Sequence, residues 1–149
     1  MKVLMVCLGN ICRSPLAHGI LRDKASQLHW TVDSAGTSAF HEGEGPDPRS
    51  VATARKYNLN IRDLKARQFK VQDFDSFDIV YAMDKSNYTN ICALARNDQD
   101  IEKVNLILNE VEEGRNAEVP DPYYGGEHGF ENVYQMLEEV TDIIVEKYG

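Results

Sequence analysis

Cysteine is scarce in this chain of 149 residues: there are three, and Cys7 and Cys12 lie close together in sequence. Such a set is no disulfide framework and points to a reducing, cytoplasmic setting. No apolar run approaches the ~20 residues needed to cross a bilayer. No signal peptide is evident either, because Met1-Lys2 leads straight into a strand pattern. Positive charge is also short. Lys and Arg number 16 against 24 Asp and Glu, for a formal net charge of −8. That balance argues against nucleic acid or an anionic membrane as partner. The four histidines, His18, His29, His41 and His128, lack metal-ligand spacing, and no Cys/His/carboxylate cluster accompanies them. They are expected to be structural or superficial, and no metal site is expected.

What is present suits one domain spanning 1–149, with 42% hydrophobic and 27% charged residues and enough chain for a proper core. The most informative stretch is Val3-Leu4-Met5-Val6-Cys7-Leu8-Gly9-Asn10-Ile11-Cys12-Arg13-Ser14-Pro15. A buried-strand run, Val3 to Val6, ends in a cysteine. Gly9 and Asn10 are the residue types that most readily take positive φ in a tight loop. Ser14 is expected as an N-cap, with Pro15 at the first helical position. A thiol therefore sits at the C-terminal end of a strand, facing a helix N-terminus, where open α/β sheets bind ligands and anions are favoured.

The chemistry follows from these residue types. Consecutive N–H groups in such a loop form an anion nest. Arg13 adds a planar fork of donors matched to two phosphate oxygens. Cys7 in this field is expected to be a thiolate near neutral pH, a nucleophile aimed at phosphorus. A nucleotide P-loop is excluded, since its Gly-Lys-Ser/Thr ending is missing. A lone cysteine at a strand end is ordinarily a small buried hydrophobe. Here Gly, Asn, Arg, Ser and Pro all serve anion binding together, which favours the nucleophile.

Further along, residues 15–29 read as a helix with Leu16, Ile20, Leu21 and Leu28 on one face and Gly19 as a weak point. Strands are expected at Trp30–Ser34, Phe77–Met83 and Val104–Leu108. Residues 35–46 read as a Gly-rich loop. Asp47-Pro48 opens a helix to about Tyr57, and Asp84 caps one to about Arg96. A last helix from about Phe130 to Tyr148 carries the stripe Phe130, Val133, Tyr134, Leu137, Val140 and Ile144. Strands alternating with helices imply βαβ units and a parallel sheet, hence an α/β fold.

Residues 119–126, Val-Pro-Asp-Pro-Tyr-Tyr-Gly-Gly, form a loop by composition. Asp121 lies between prolines, which restricts its backbone. It could donate a proton to a departing group opposite the thiol and then activate water. Tyr123 and Tyr124 could wall an aromatic substrate. The same residues equally suit a surface turn whose Asp caps the next element and whose tyrosines pack inward.

Taken together, the chain resembles the low-molecular-weight protein-tyrosine phosphatases. Cys7 to Pro15 matches their Cys-x5-Arg-Ser loop, and Asp121-Pro122-Tyr123-Tyr124 looks like their general-acid loop. Val32-Asp33-Ser34-Ala35-Gly36, Pro46-Asp47-Pro48-Arg49, Lys65-Ala66-Arg67-Gln68 and Met83-Asp84-Lys85-Ser86-Asn87 look like family segments in family order. The resemblance implies a four-stranded parallel sheet flanked by helices on both faces, a flavodoxin-like architecture. It implies a cofactor-free enzyme, monomeric or weakly dimeric, acting on phosphotyrosine proteins or peptides through a phospho-cysteine. Cys7 would be nucleophile, Arg13 the transition-state clamp and Asp121 the acid. Leu8, Gly9, Asn10, Ile11, Cys12, Arg13 and Ser14 would bind phosphate. Asn10, Ser14 and Ser34 would share a loop-supporting network.

Two departures stand out. Many members carry His where this chain has Leu64, which bears on the support of Asn10. Many carry Trp or Tyr at the rim where this chain has Phe40, which keeps an aromatic wall without a polar handle. Cys12 either fills a buried gap or, as in members with this cysteine pair, captures an oxidised Cys7 as a disulfide.

Rival chemistries fare less well. Related arsenate reductases need a downstream cysteine pair, and only Cys92 lies beyond the loop. Arginine phosphatases of the family resemble this loop with Thr at the position of Ile11, whereas Ile leaves apolar room for a phenyl ring. A non-catalytic phosphotyrosine-binding module would be expected to lack Cys7 or Asp121.

Overall fold

Alternating apolar residues in the first strand decide how the layers assemble. In β1 (Lys2–Cys7), Val3, Met5 and Cys7 enter one buried cluster, while Leu4 and Val6 enter the other. A strand buried on both faces belongs in a parallel sheet covered by helices on each side. The computed structural model describes residues 1–149, the Glu127 side chain excepted. Four strands, β1, β2 (Thr31–Gly36), β3 (Ile79–Ala82) and β4 (Val104–Leu106), pair in parallel in the order β2-β1-β3-β4.

Helices α1 (Arg13–Lys24) and α6 (Glu127–Tyr148) cover the face bearing Val3 and Met5. The expected α6 stripe, Phe130 to Ile144, is buried throughout. The other face packs Leu4, Val6 and Val80 against Phe69, Phe74 and Ile91, from the segment before β3 and from α4 (Lys85–Cys92). Helix α2 (Pro48–Lys56) begins as expected: Asp47 accepts from Arg49 N at 2.8 Å, with Pro48 at the first position. Asp84 likewise caps α4 through Asn87 N at 2.8 Å.

Several expected boundaries shift. Helix α1 starts at Arg13 and stops at Lys24, so Leu28 lies in the following turns, Pro15 is the third helical residue and not the first, and Cys12, with no side-chain cap bond, takes the N-cap place. Ser14 is inside the helix because its hydroxyl is engaged elsewhere. Strand β2 runs later than expected, ending at Gly36, where its backbone pairs with Cys7. Strands β3 and β4 are shorter than the apolar runs that suggested them. Ile107 leaves the sheet in a 3-10 turn, Ile107–Glu110, yet stays buried. Helix α4 ends at Cys92, and α6 starts at Glu127. Two short helices, α3 (Asp73–Ser76) and α5 (Asp98–Glu102), have too few turns to show a hydrophobic period. Gly19 is a packing site: a Cβ there would collide with the Ile61 side chain.

The strand order reverses at β1, between β2 on one side and β3 on the other. The carboxyl end of a strand at such a reversal is where open α/β sheets leave a crevice. Cys7 occupies that end.

Candidate active site

The loop from Cys7 to Arg13 is held by its carbonyls. Thr37 N and Ser38 N donate to Cys7 O and Leu8 O, both at 2.9 Å, and Asp47 N donates to Ile11 O at 2.8 Å. Ser50 Oγ donates to Cys12 O at 3.3 Å. No backbone N–H from Leu8 to Arg13 reaches a protein acceptor among the described residues. With the carbonyls fastened on the outside, the N–H groups form a concave set of donors suited to an anion. In this loop Asn10 alone takes a left-handed φ, 56°. Gly9, expected to share it, does not; its lack of a Cβ instead leaves room for the His41 ring, which would stand 3.0 Å from a Cβ there. Gly36 permits the closeness of this wrapping, since a Cβ there would stand 2.7 Å from Leu8 O.

Below the loop, Ser14 Oγ lies 3.0 Å from Cys7 Sγ and accepts from Asn10 Nδ2 at 2.8 Å. Ser14 accepts a hydrogen bond from Asn10, and its own hydroxyl proton has two acceptors in reach, the sulfur at 3.0 Å and Ala35 O at 3.5 Å, of which the sulfur is the nearer. Asn10 Oδ1 accepts from the backbone of Arg67 at 3.1 Å. Leu64, at the position of the family histidine, joins the core instead. Asn10 is therefore supported through the main chain of the Lys-Ala-Arg-Gln segment. Ser34 is buried, and its hydroxyl bonds His18 Nδ1 at 2.9 Å. It thus buttresses α1 against β2, while Asn10 and Ser14 meet directly. Burial pushes His18 down to about 4, so its ring is neutral at physiological pH.

Arg13 is buried, with only 2% of its surface exposed. Its Nη1 donates to Asp84 Oδ2 at 2.7 Å and to Val119 O at 3.0 Å, and Nη2 is 3.7 Å from Asp121 Oδ2. Burial opposes its charge, but Cys7, Asp84 and Asp121 together raise its pKa above the ordinary value. One edge of the guanidinium is thus anchored, and Nη2 is left toward the cavity. Cys12 is buried, and its thiol is pushed up to about 12 by that burial and by the negative charges of Asp47, Cys7 and Asp121.

A cavity of about 410 Å³ stands over this floor, lined by the phosphate-loop residues Cys7, Ile11, Cys12 and Arg13, with Asp121 beside them. Phe40, Tyr123 and Tyr124 form its rim; Phe40 and Tyr124 are 84% and 93% exposed. Asp121 Oδ1 accepts from Tyr123 N at 3.0 Å. The loop around it is fixed at its start by Val119 N donating to Met83 O at 2.9 Å, and it turns through Gly125 N to Pro122 O at 3.0 Å.

The residues singled out in the sequence therefore meet in one place, except Ser34, whose recorded partner is His18. Three others went unassigned. Asp84 was read only as a helix cap, yet it also pins Arg13. Its position at the carboxyl edge of the sheet was the available signal. Arg49 bonds the acid-bearing loop. His41 lines the cavity beside Gly9, its Nδ1 2.6 Å from Glu44 Oε2; nothing in its sequence context set it apart.

A cysteine under an unpaired amide nest, an anchored arginine and a carboxylate facing them define a cysteine-centred enzyme for a tetrahedral anion. Comparison with known proteins narrows the class. Residues 2–147 match the family described as low molecular weight phosphotyrosine protein phosphatase, and the chain belongs to this family of enzymes. A low molecular weight protein-tyrosine-phosphatase of Streptomyces coelicolor is 40% identical, over 94% of this chain and 88% of its own length. Among solved structures, a protein tyrosine phosphatase from Entamoeba histolytica, with Hepes in its active site, matches at TM-score 0.90 and 36% identity, covering 99% of this chain and 96% of that one. The Drosophila arginine phosphatase matches at TM-score 0.91 and 30% identity, covering 99% and 98%.

Proposed function

We propose that this enzyme hydrolyses phosphotyrosine and other aryl phosphate monoesters through a phospho-cysteine, with Cys7, Arg13 and Asp121 as its catalytic residues. The observation that carries the reading is the position of Cys7 Sγ, with Ser14 Oγ at 3.0 Å, at the base of unpaired loop N–H groups. Phosphate oxygens seat on the N–H groups from Leu8 to Ser14 and on Arg13. The sulfur attacks phosphorus, the P–O(aryl) bond breaks, and Asp121 gives its proton to the departing phenolate. A water then attacks phosphorus, Asp121 takes its proton, and the Cys7 thiolate leaves. Ser14 Oγ, 3.0 Å from the sulfur, is placed to donate a hydrogen bond to the thiolate as it leaves phosphorus.

Ile11 among the lining residues, with Phe40, Tyr123 and Tyr124 at the rim, supports an aryl substrate over a guanidinium one. Cys92 ends α4 and packs beside the opposite core, which supports hydrolysis over a reductase relay through a third cysteine. A nucleophile that must remain a reduced thiol suits the cytoplasm, the compartment we assign. In the test, wild type is acid-quenched during turnover of p-nitrophenyl phosphate and the Cys7 peptide examined by mass spectrometry for a phosphate adduct. Cys7→Ser should form none, turn over at less than about a thousandth of the wild-type rate, and still bind vanadate, because its hydroxyl has no adjacent base. A faster mutant, or an adduct on another residue, overturns the assignment.

A further inference from the structure

Arg49, the second residue of α2, takes no part in the mechanism above, yet it ties together both loops of the cavity. Its Nε and Nη2 bond Asp47 at 3.0 and 2.9 Å, while Nη1 donates to Tyr123 O at 3.0 Å. The guanidinium also lies 4.7 Å from the ring centre of Phe130 on α6 and 5.2 Å from that of Tyr123. Asp47 in turn is bonded through its N–H to Ile11 O of the phosphate loop. Tyr123 is therefore held at both ends of its backbone: its carbonyl by Arg49, and its N–H by the Asp121 carboxylate at 3.0 Å. Two hydrogen bonds through a single residue separate Arg49 from the acid.

We propose that Arg49 is a positioning residue for proton transfer, holding Tyr123, and through it Asp121, at a set height over the phosphate loop. The guanidinium suits this task because its planar fork can bond Asp47 with one edge while a third nitrogen reaches a carbonyl; a lysine ammonium has no such fixed reach. On the phosphate-loop side the link is a main-chain bond, Asp47 N–H to Ile11 O, which the Arg49 side chain does not itself make. Loss of Arg49 therefore acts on the leaving-group proton and leaves the anion seat intact. The proposal rests on Asp121 being the general acid.

The test is a series of aryl phosphates whose leaving phenols range from acidic, as in p-nitrophenol, to weakly acidic, as in phenol and tyrosine. The kcat/KM values are compared for wild type, Arg49→Ala, Arg49→Lys, Asp121→Asn and the Arg49→Ala/Asp121→Asn double variant. Asp121→Asn is expected to lose most activity on the poorest leaving groups. A uniform loss there would overturn the acid reading itself. Arg49→Ala is expected to lose about tenfold on phenyl phosphate and less than about threefold on p-nitrophenyl phosphate, a fraction of the general-acid contribution. Inhibition by inorganic phosphate should stay unchanged in Arg49→Lys, which keeps the positive charge. Arg49→Lys keeps a cation beside Asp47, guards against a folding defect in the alanine variant, and should show the same leaving-group bias. The double variant should be no slower than Asp121→Asn. With Asp121→Asn behaving as an acid variant, a uniform loss in both Arg49 variants, a lysine variant equal to wild type, or additive losses in the double variant would overturn the positioning role.

Discussion

The loop from Cys7 to Ser14 joins a buried strand to a buried helix; its carbonyls are bonded by neighbouring segments, and its side chains Asn10, Arg13 and Ser14 are all but inaccessible. The loop from Val119 to Gly126 begins at a buried valine but carries Asp121, with 42% of the side chain exposed, on a turn rimmed by exposed tyrosines. The difference matches two demands. Charge stabilisation at phosphorus needs donors that do not reorganise. A proton donor must meet leaving groups of varied shape and then admit water, which suits a group at an open rim. Rigid and exposed components thus meet at Arg13, whose Nη1 is anchored and whose Nη2 faces Asp121.

The comparison breaks first where the rigid loop depends on one fork. Arg13→Lys keeps the charge but cannot bond Asp84 and Val119 O while presenting a second nitrogen to phosphate. Turnover should fall at least 10²-fold, about 2.7 kcal/mol of transition-state stabilisation. A loss below tenfold in steady-state assays would mean that charge alone suffices.

On the exposed side, Asp121→Asn should cost about 10²-fold for a phosphotyrosine peptide and roughly tenfold or less for p-nitrophenyl phosphate. The two loops would then differ in kind as well as size, since the Arg13 loss should be indifferent to the leaving group. Equal losses across substrates would erase that distinction.

The buried side also has a pH signature in stability. His18 sits neutral beside Ser34, its pKa held down to about 4 chiefly by burial. As pH falls, the unfolded chain takes up this proton first, near its ordinary value of about 6.5. The contribution is therefore complete above about pH 6.5 and is lost as pH drops toward about 4. Between about pH 7 and pH 5, urea unfolding should show wild type losing about 2 kcal/mol more than His18→Gln. Parallel losses in the two proteins would remove His18 from the account.

Cys12 should make the smallest difference to turnover. Its raised pKa keeps it a neutral thiol that leaves the charge of the anion site undisturbed. After peroxide converts Cys7 to the sulfenic acid, Cys12 should condense with it, releasing water and forming a disulfide that a thiol reductant reverses. Cys12→Ser should keep its activity but recover poorly, with sulfinic acid at Cys7 in mass spectra. Full recovery in the variant would leave Cys12 as packing.

Legibility differed between the same two regions. Cys7, Asn10 and Arg13 lie within one strand–loop–helix junction, where residue type alone marks a tight loop and an anion-binding side chain, although Gly9 does not take the positive φ expected of it and Pro15 sits two residues later in the helix than expected. The α6 stripe and the caps Asp47 and Asp84 were equally plain, because their signals are periodic or adjacent. Ser14 misled for an instructive reason. Serine before proline is a good N-cap, but a hydroxyl within reach of Asn10 and a buried sulfur is better used there. The short helices α3 and α5 left no periodic trace, and the apolar run after β4 concealed a turn because Ile107 is buried in either conformation.

The sequence by itself determined an α/β chain with an anion-binding thiol loop, since the residues responsible are close neighbours and act through local backbone geometry. Only the tertiary structure decided that Asp84 and the Val119 carbonyl anchor Arg13, that Ser34 serves His18, that the backbone of Arg67 supports Asn10, and that Arg49 reaches the loop bearing Asp121. Those partners are far apart in the chain, and Asp, Ser and Arg are common at caps and surfaces. Their roles arise only when parallel strands in register bring their carboxyl ends to one edge of the sheet.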